Sequence, residues 1–327
     1  MKPAMLALLL SLVVRAGAED SLIVALEKTI PMPGIEGRID HLSLDAERDR
    51  LYVAALGSNK LVAISLADGK VVGEVDGQGE AQGVLAVPGM HEVALACGQD
   101  SCTRFFHGET LALLRTADTG DDSDNMRWDP AGKTVVVGFG EGGVAFIDPA
   151  SGKVTSRVKL KGHPEAFEVD GGRVYVNVPP ADEVAVVDIA KGEQVASWPV
   201  DGADSNYPMA LDAEGHRLYV GCRQPPKMLV YDTESGKQVA SVEISADVDD
   251  IFWDSQTRRL YLSCGEGYLD VVQRGEGDAF ERIAKVATAK GARTSLFVPE
   301  QRVLYVAAPH RGEGGSASVK VYRVTGK

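Results

Sequence analysis

Leu51-Tyr-Val-Ala-Ala55 is the first of seven short β-runs that decide the fold. The others are Val93-Ala-Leu-Ala-Cys97, Val135-Val-Val-Gly-Phe139, Val174-Tyr-Val-Asn-Val178, Leu218-Tyr-Val-Gly-Cys222, Leu260-Tyr-Leu-Ser-Cys264 and Leu304-Tyr-Val-Ala-Ala308. Their second residues stand at 52, 94, 136, 175, 219, 261 and 305, in steps of 42, 42, 39, 44, 42 and 44 residues. A strand repeat of this period is the signature of a β-propeller, one four-stranded blade per unit. The expected fold is all-β: a single seven-bladed propeller of four-stranded antiparallel blades.

Blade 5 displays the plan. Met209–Asp212 reads as strand a, residues 217–221 as strand b, 228–232 as strand c and 238–242 as strand d. The c–d turns Ala67-Asp-Gly-Lys70, Ala150-Ser-Gly-Lys153, Ala190-Lys-Gly-Glu193 and Glu234-Ser-Gly-Lys237 are near copies, with Gly at the position that needs positive φ. Asp148, Asp188 and Asp232 precede such turns and are expected to cap them through backbone N–H groups. Trp128, Trp198 and Trp253 read as blade packing. The blades fall at about 38–80, 81–121, 122–161, 162–204, 205–246, 247–290 and 291–327. The last unit shows three clear strands, so an extra strand at residues 21–30 is expected to complete it and close the ring, leaving no unpaired edge.

Residues 1–18 read as a signal peptide, with Lys2, an apolar stretch from Pro3 to Val14 and the small-residue site Ala16-Gly17-Ala18. The apolar run is shorter than the roughly 20 residues that span a bilayer; a retained anchor is the alternative. Residues 19–327 then form the propeller, exported to the periplasm or secreted, not inserted in a membrane after cleavage and expected to be a monomer. The chain carries a formal net charge of −13, which opposes binding to phosphate backbones and excludes nucleic acid as partner.

The phrases Gly37-Arg-Ile-Asp-His41, Gly162-His-Pro-Glu165, Asn206-Tyr-Pro-Met209, Gly291-Ala-Arg-Thr-Ser-Leu296 and Ala308-Pro-His-Arg-Gly312 resemble those of bacterial exported YVTN-type, YncE-like β-propellers. The resemblance covers about residues 21–325 and implies the same fold and an exported location. Propellers of similar architecture include lactonases, lyases, quinone-dependent dehydrogenase subunits and binding scaffolds, so function must come from the site.

The internal alignment locates that site where the repeats stop being copies. Just before the run His41, Gly83, Asn125, Ala166, Pro208, Asp250 and Ser295 stand Asp40, Gln82, Asp124, Glu165, Tyr207, Asp249 and Thr294, all with hydrogen-bonding side chains. Arg38, His163, Asn206 and Arg293 lie one or two positions earlier, and Arg223, His310 and Arg311 occupy b–c loops of the same face. Together these predict a polar, charged funnel on the axis. Two carboxylates 4 Å apart repel by about 4 kcal/mol at an effective dielectric near 20, so basic neighbours, raised pKa values or a cation must compensate. If a metal is bound, Asp124, Glu165, Asn206 and Asp249 are the expected ligands, an oxygen set suited to Ca²⁺ or Mg²⁺. His41, His163 and His310 are the candidate catalytic bases; His91, His107 and His216 fall in turns or outer positions and read as solvated.

The glycine-rich b–c loop Pro309–Ala317 reads as a lid or a solvent loop, since it lacks the Lys-Ser/Thr ending of a phosphate loop. Cys97 and Cys102 bracket a four-residue loop and are expected to form a cross-strand disulfide in an oxidising compartment, while Cys222 and Cys264 read as buried thiols. No nucleophile elbow, zinc-protease helix, CxxC or haem-attachment motif occurs. The sequence therefore favours an exported binding or scaffold propeller for a small polar or anionic molecule, or for another exported protein. The alternatives are a hydrolase or lyase, lactonase-like, with a His base and Arg or a divalent metal, and a subunit of a redox complex.

Overall fold

The computed structural model describes residues 23–312 and 315–325. The signal-peptide reading of residues 1–18 lies outside them, as do Glu313 and Gly314 of the glycine-rich loop. Among the described residues no helix is long and apolar enough to cross a membrane.

Seven four-stranded antiparallel sheets form the blades. Blade 1 is representative, with strands Leu42–Asp45, Arg50–Ala55, Lys60–Ser65 and Lys70–Val75 paired in chain order. Strands b and c are rich in Val, Leu, Ile and Ala and are buried almost throughout, whereas the outermost strand alternates between exposed and half-buried. β-Branched and aromatic side chains suit such doubly covered strands. A one-residue register shift recurs between strands c and d, at Ala63/Ile64 in blade 1 and at Phe146/Ile147 in blade 3. Bulges of this kind increase local twist.

The core is divided into seven apolar slabs, one between each pair of adjacent blades. One slab packs Tyr52 and Leu61 of blade 1 against Val84 and Val93 of blade 2; another packs Leu51 and Ile64 against Val303 and Val319 across the closing seam. The b-strand tyrosines also stitch neighbours together: the Tyr52 hydroxyl donates to Gly108 O of the next blade at 2.6 Å. Asp148, Asp188 and Asp232 accept backbone N–H groups of their turns as expected, and Gly69, Gly152, Gly192 and Gly236 take φ of 63–70° there.

Closure follows the expected scheme. Val24–Met32 pairs antiparallel with Ala317–Val324, which pairs with Val303–Ala308 and then Ser295–Val298. The strand runs further than the 21–30 expectation because Ile30 and Met32 are both buried in the seam, while residues 21 and 22 lie outside the described residues.

Candidate functional site

The segment entering strand a lies at the inner end of each blade, and its carbonyls hold the start of the b–c loop: Gly57 N donates to Arg38 O, Gly98 N to Glu80 O and Gly265 N to Asp247 O. Links and b–c loops therefore share one face. Gly83 is required in this ring, since a Cβ there would sit 2.1 Å from the backbone oxygen of Asp124.

Register corrects the internal alignment at blade 7. Leu42 pairs with Val53 and Ser295 with Val306; Ala54 N donates to His41 O as Ala307 N donates to Thr294 O. Thr294 thus matches His41, and Arg293, not Thr294, matches Asp40. A one-residue slip exchanges the faces of a strand, and here both residues are polar, so composition alone did not reveal it. The ring at the Asp40 level is Asp40, Gln82, Asp124, Glu165, Tyr207, Asp249 and Arg293.

At the floor of the funnel a cavity of about 10 Å³ is lined by Arg38, Asp40, His41, Asp124, Asn125, Glu165, Tyr207 and Asp249. Asp40 and His41 both reach it although they are neighbours, because the regular strand starts only at Leu42 and alternation does not yet apply. Arg38 Nη2 donates to Asp40 Oδ1 at 3.0 Å. His41 Nε2 stands 4.0 Å from Asp124 Oδ1. His163 Nε2 lies 4.0 Å from Asp124 Oδ2 and 3.8 Å from Glu165 Oε1. Arg223 binds Asp249 and lies 3.8 Å over the Tyr207 ring; Arg293 Nε is 2.7 Å from Asp249 Oδ2 and its Nη1 donates to Asp247 at 2.8 Å.

Burial dominates the electrostatics. It pushes His41 down to about 4 despite Asp40 and Glu165 up to about 8, with Asp249 adding to the rise. Asp124 is driven well above the carboxylate range by burial and by the Asp40 and Glu165 charges. Burial raises Asp249 against the pull of Arg223 and Arg293. Arg38 stays charged, since Asp40, Asp249 and Asp124 outweigh its burial.

Above the floor opens a cavity of about 640 Å³, lined by Arg38, Lys290, Arg293, His310 and Arg311, with Asp247, Gly265, Gly291 and Pro309. Lys290 and Arg311 are exposed and make no ion pair among the described residues.

A family model described as "Outer membrane protein assembly factor BamB" matches residues 35–156 and 126–312. The chain belongs to this family. Membership in the BamB family agrees with a propeller of binding or scaffold type. No curated protein matches the chain. Solved structures similar to this BamB-family propeller include "Kuenenia stuttgartiensis Hydrazine Synthase", at TM-score 0.71 and 14% identity over 84% of this chain and 95% of that one. "Crystal Structure of Mitotic Checkpoint Complex" aligns at TM-score 0.76 and 14% identity, over 92% of both chains. "Structure of U3-55K" aligns at 0.79 and 9% identity, over 93% of this chain and 99% of that one. At such identities the likeness is one of fold.

Several candidate residues of this BamB-family chain are held by the scaffold itself. Gln82 Nε2 donates to Asp122 Oδ1 at 2.9 Å and to Ser123 O. Asn206 is fully buried between blades, its Nδ2 donating to Asn177 Oδ1 and Glu183 O. Thr294 Oγ1 donates to Ile39 O across the ring seam. Asp250 Oδ2 accepts Ser295 N at 2.6 Å and faces a second axial cavity of about 190 Å³ on the far side of His41. That cavity also holds Arg127 and Glu168, 3.6 Å apart, which the sequence reading missed; they stand two residues beyond the His41 position, one further step of strand alternation. Lys290 was missed because it precedes the aligned link.

The expected disulfide is not formed: Cys97 and Cys102 are free, buried thiols. They do stand directly opposite each other on strands b and c of blade 2, and the interaction between the two thiols lowers the Cys102 pKa and raises that of Cys97. Cys222 and Cys264 are buried thiols, as read from the sequence.

Proposed function

We propose that this BamB-family chain is an exported, monomeric binding propeller of the YVTN, YncE-like type, and that its funnel takes a small anionic molecule. The observation carrying this reading is the cavity of about 640 Å³, in which five basic side chains face one carboxylate on a chain of net charge −13. Arg38 and Arg293 are anchored by Asp40 and Asp247, so their guanidiniums are pre-oriented, which spares part of the entropy of binding. Lys290 and Arg311 have no partner among the described residues to give up and are free to meet ligand charge. A carboxylate or phosphate group suits these donors.

A binding role is favoured over catalysis by His41, because a base that titrates near 4 takes a proton from substrate poorly at neutral pH. Binding of di- and tricarboxylates and of phosphate esters is followed by thermal shift and calorimetry. Wild type is expected to select one such anion. The Lys290→Ala/Arg311→Ala pair, which breaks no ion pair in the fold, is expected to weaken it about 100-fold at an unchanged melting temperature, near 1.4 kcal/mol for each lost charge contact. Equal affinity in both proteins would end this reading.

A further inference from the structure

We infer that the floor of the funnel binds a divalent transition-metal ion through Asp40, His41 and Asp124. These three side chains each bring a ligand atom to within 4.8 Å of the others. Metal–ligand bonds of about 2.1 Å place neighbouring ligand atoms roughly 3 Å apart and opposite ones roughly 4.2 Å apart. The 4.0 Å between His41 Nε2 and Asp124 Oδ1 falls within that range.

Two observations beyond acidity point to an ion. Asp40 Oδ2 and Asp124 Oδ1 are buried without a hydrogen-bond donor, on residues only 2% and 6% exposed. An empty buried carboxylate oxygen forfeits the bond that would offset its desolvation, and both oxygens belong to residues lining the same small space. That space, about 10 Å³, admits one body the size of a water molecule. Arg38 holds the other oxygen of Asp40, which fixes the carboxylate.

Charge balance agrees. Arg223 and Arg293 offset Asp247 and Asp249. Arg38 alone stands against Asp40, Asp124 and Glu165, which when ionised leave two negative charges for a divalent cation to neutralise. The imidazole decides the class of ion: Ca²⁺ and Mg²⁺ take oxygen ligands, whereas Zn²⁺, Mn²⁺ and Fe²⁺ accept nitrogen with carboxylates. His163 and Glu165 flank the other oxygen of Asp124 and form a second donor group with it. The oxygen-only set expected from the sequence is thereby replaced, since Asn206 is spent between blades and Asp249 is clasped by two arginines.

The test uses metal alone. Full-length protein stripped with chelator is titrated with Zn²⁺ or Mn²⁺ by calorimetry, and the metal retained after desalting is measured by mass spectrometry. One equivalent is expected, bound at least 100-fold more weakly in Asp124→Asn and Asp40→Asn, both nearly isosteric and checked by circular dichroism. A tenfold loss is expected in Glu165→Gln. No uptake, uptake unchanged by Asp124→Asn, or displacement of Zn²⁺ by equimolar Ca²⁺ would overturn the assignment. Lys290→Ala/Arg311→Ala should keep the metal, so failure of the anion site and failure of the metal site are separate results.

Discussion

At pH 9 the metal-free Glu165→Gln protein is expected to melt on the order of 5–10 °C above wild type, and at pH 4.5 the two should melt together. Burial pushes the Glu165 carboxyl up to about 8 in the folded chain, against an ordinary value of 4.5 when exposed. A folded pKa above the unfolded one means that the native state binds the proton more tightly. The associated stability is complete below about pH 4.5 and is lost as pH rises through 8. At 1.36 kcal/mol per pKa unit the loss reaches on the order of 3–5 kcal/mol, which for a chain of this length corresponds to the stated shift. Gln keeps the shape and discards the ionisation. Calorimetry in chelator at the two pH values decides; the same difference at both would show that Glu165 ionisation carries no such cost. Saturating Zn²⁺ is expected to narrow the gap at pH 9 by about 1.4 kcal/mol, the equivalent of the tenfold difference in affinity.

Removing the closing strand should abolish the fold. A chain starting at residue 33 loses Val24–Met32 and with it the buried Val24, Ile30 and Met32. Each large buried aliphatic removed costs about 2–5 kcal/mol, and the set approaches the whole stability of a typical domain, about 5–15 kcal/mol. The bared edge at Ala317–Val324 also becomes a template for intermolecular pairing. The truncated protein is expected to elute as aggregate with no cooperative melt, and a peptide of residues 23–32 supplied during refolding is expected to restore monomer. A cooperative melt within a few degrees of wild type would show that the ring does not depend on the closing strand.

Much of this architecture was legible because a blade repeats its reasons. Tyr52, Tyr219 and Tyr261 stand at one strand position and are all fully buried, so packing demands the same letters at the same interval. The closing strand was legible by subtraction, blade 7 being one strand short. The funnel was legible because its residues break the repeat. The reading failed where neighbouring positions were equally polar. Arg293 and Thr294 exchange places without any change in composition, and only the pairing of Ser295 with Val306 fixes the register. Asn206 and Gln82 look like site residues, yet their amides satisfy carbonyl and carboxyl groups of the scaffold, a use of polarity that one sequence does not distinguish from ligand binding. Cys97 and Cys102 read as a disulfide because the strands set them opposite each other, yet opposition alone does not make the bond and both thiols are free.

The pairing of first strand with last also sets a timetable. Arg323 clasps Glu27 across 296 residues of chain, and a ribosome adding about 5–20 residues per second needs roughly 15–60 s to make that stretch. For that interval the first strand emerges with no partner in existence. Its own sequence suits the wait: Glu27 and Lys28 interrupt the apolar run between Val24 and Ile30, and charged residues of this kind keep a lone strand from seeking a stranger's edge.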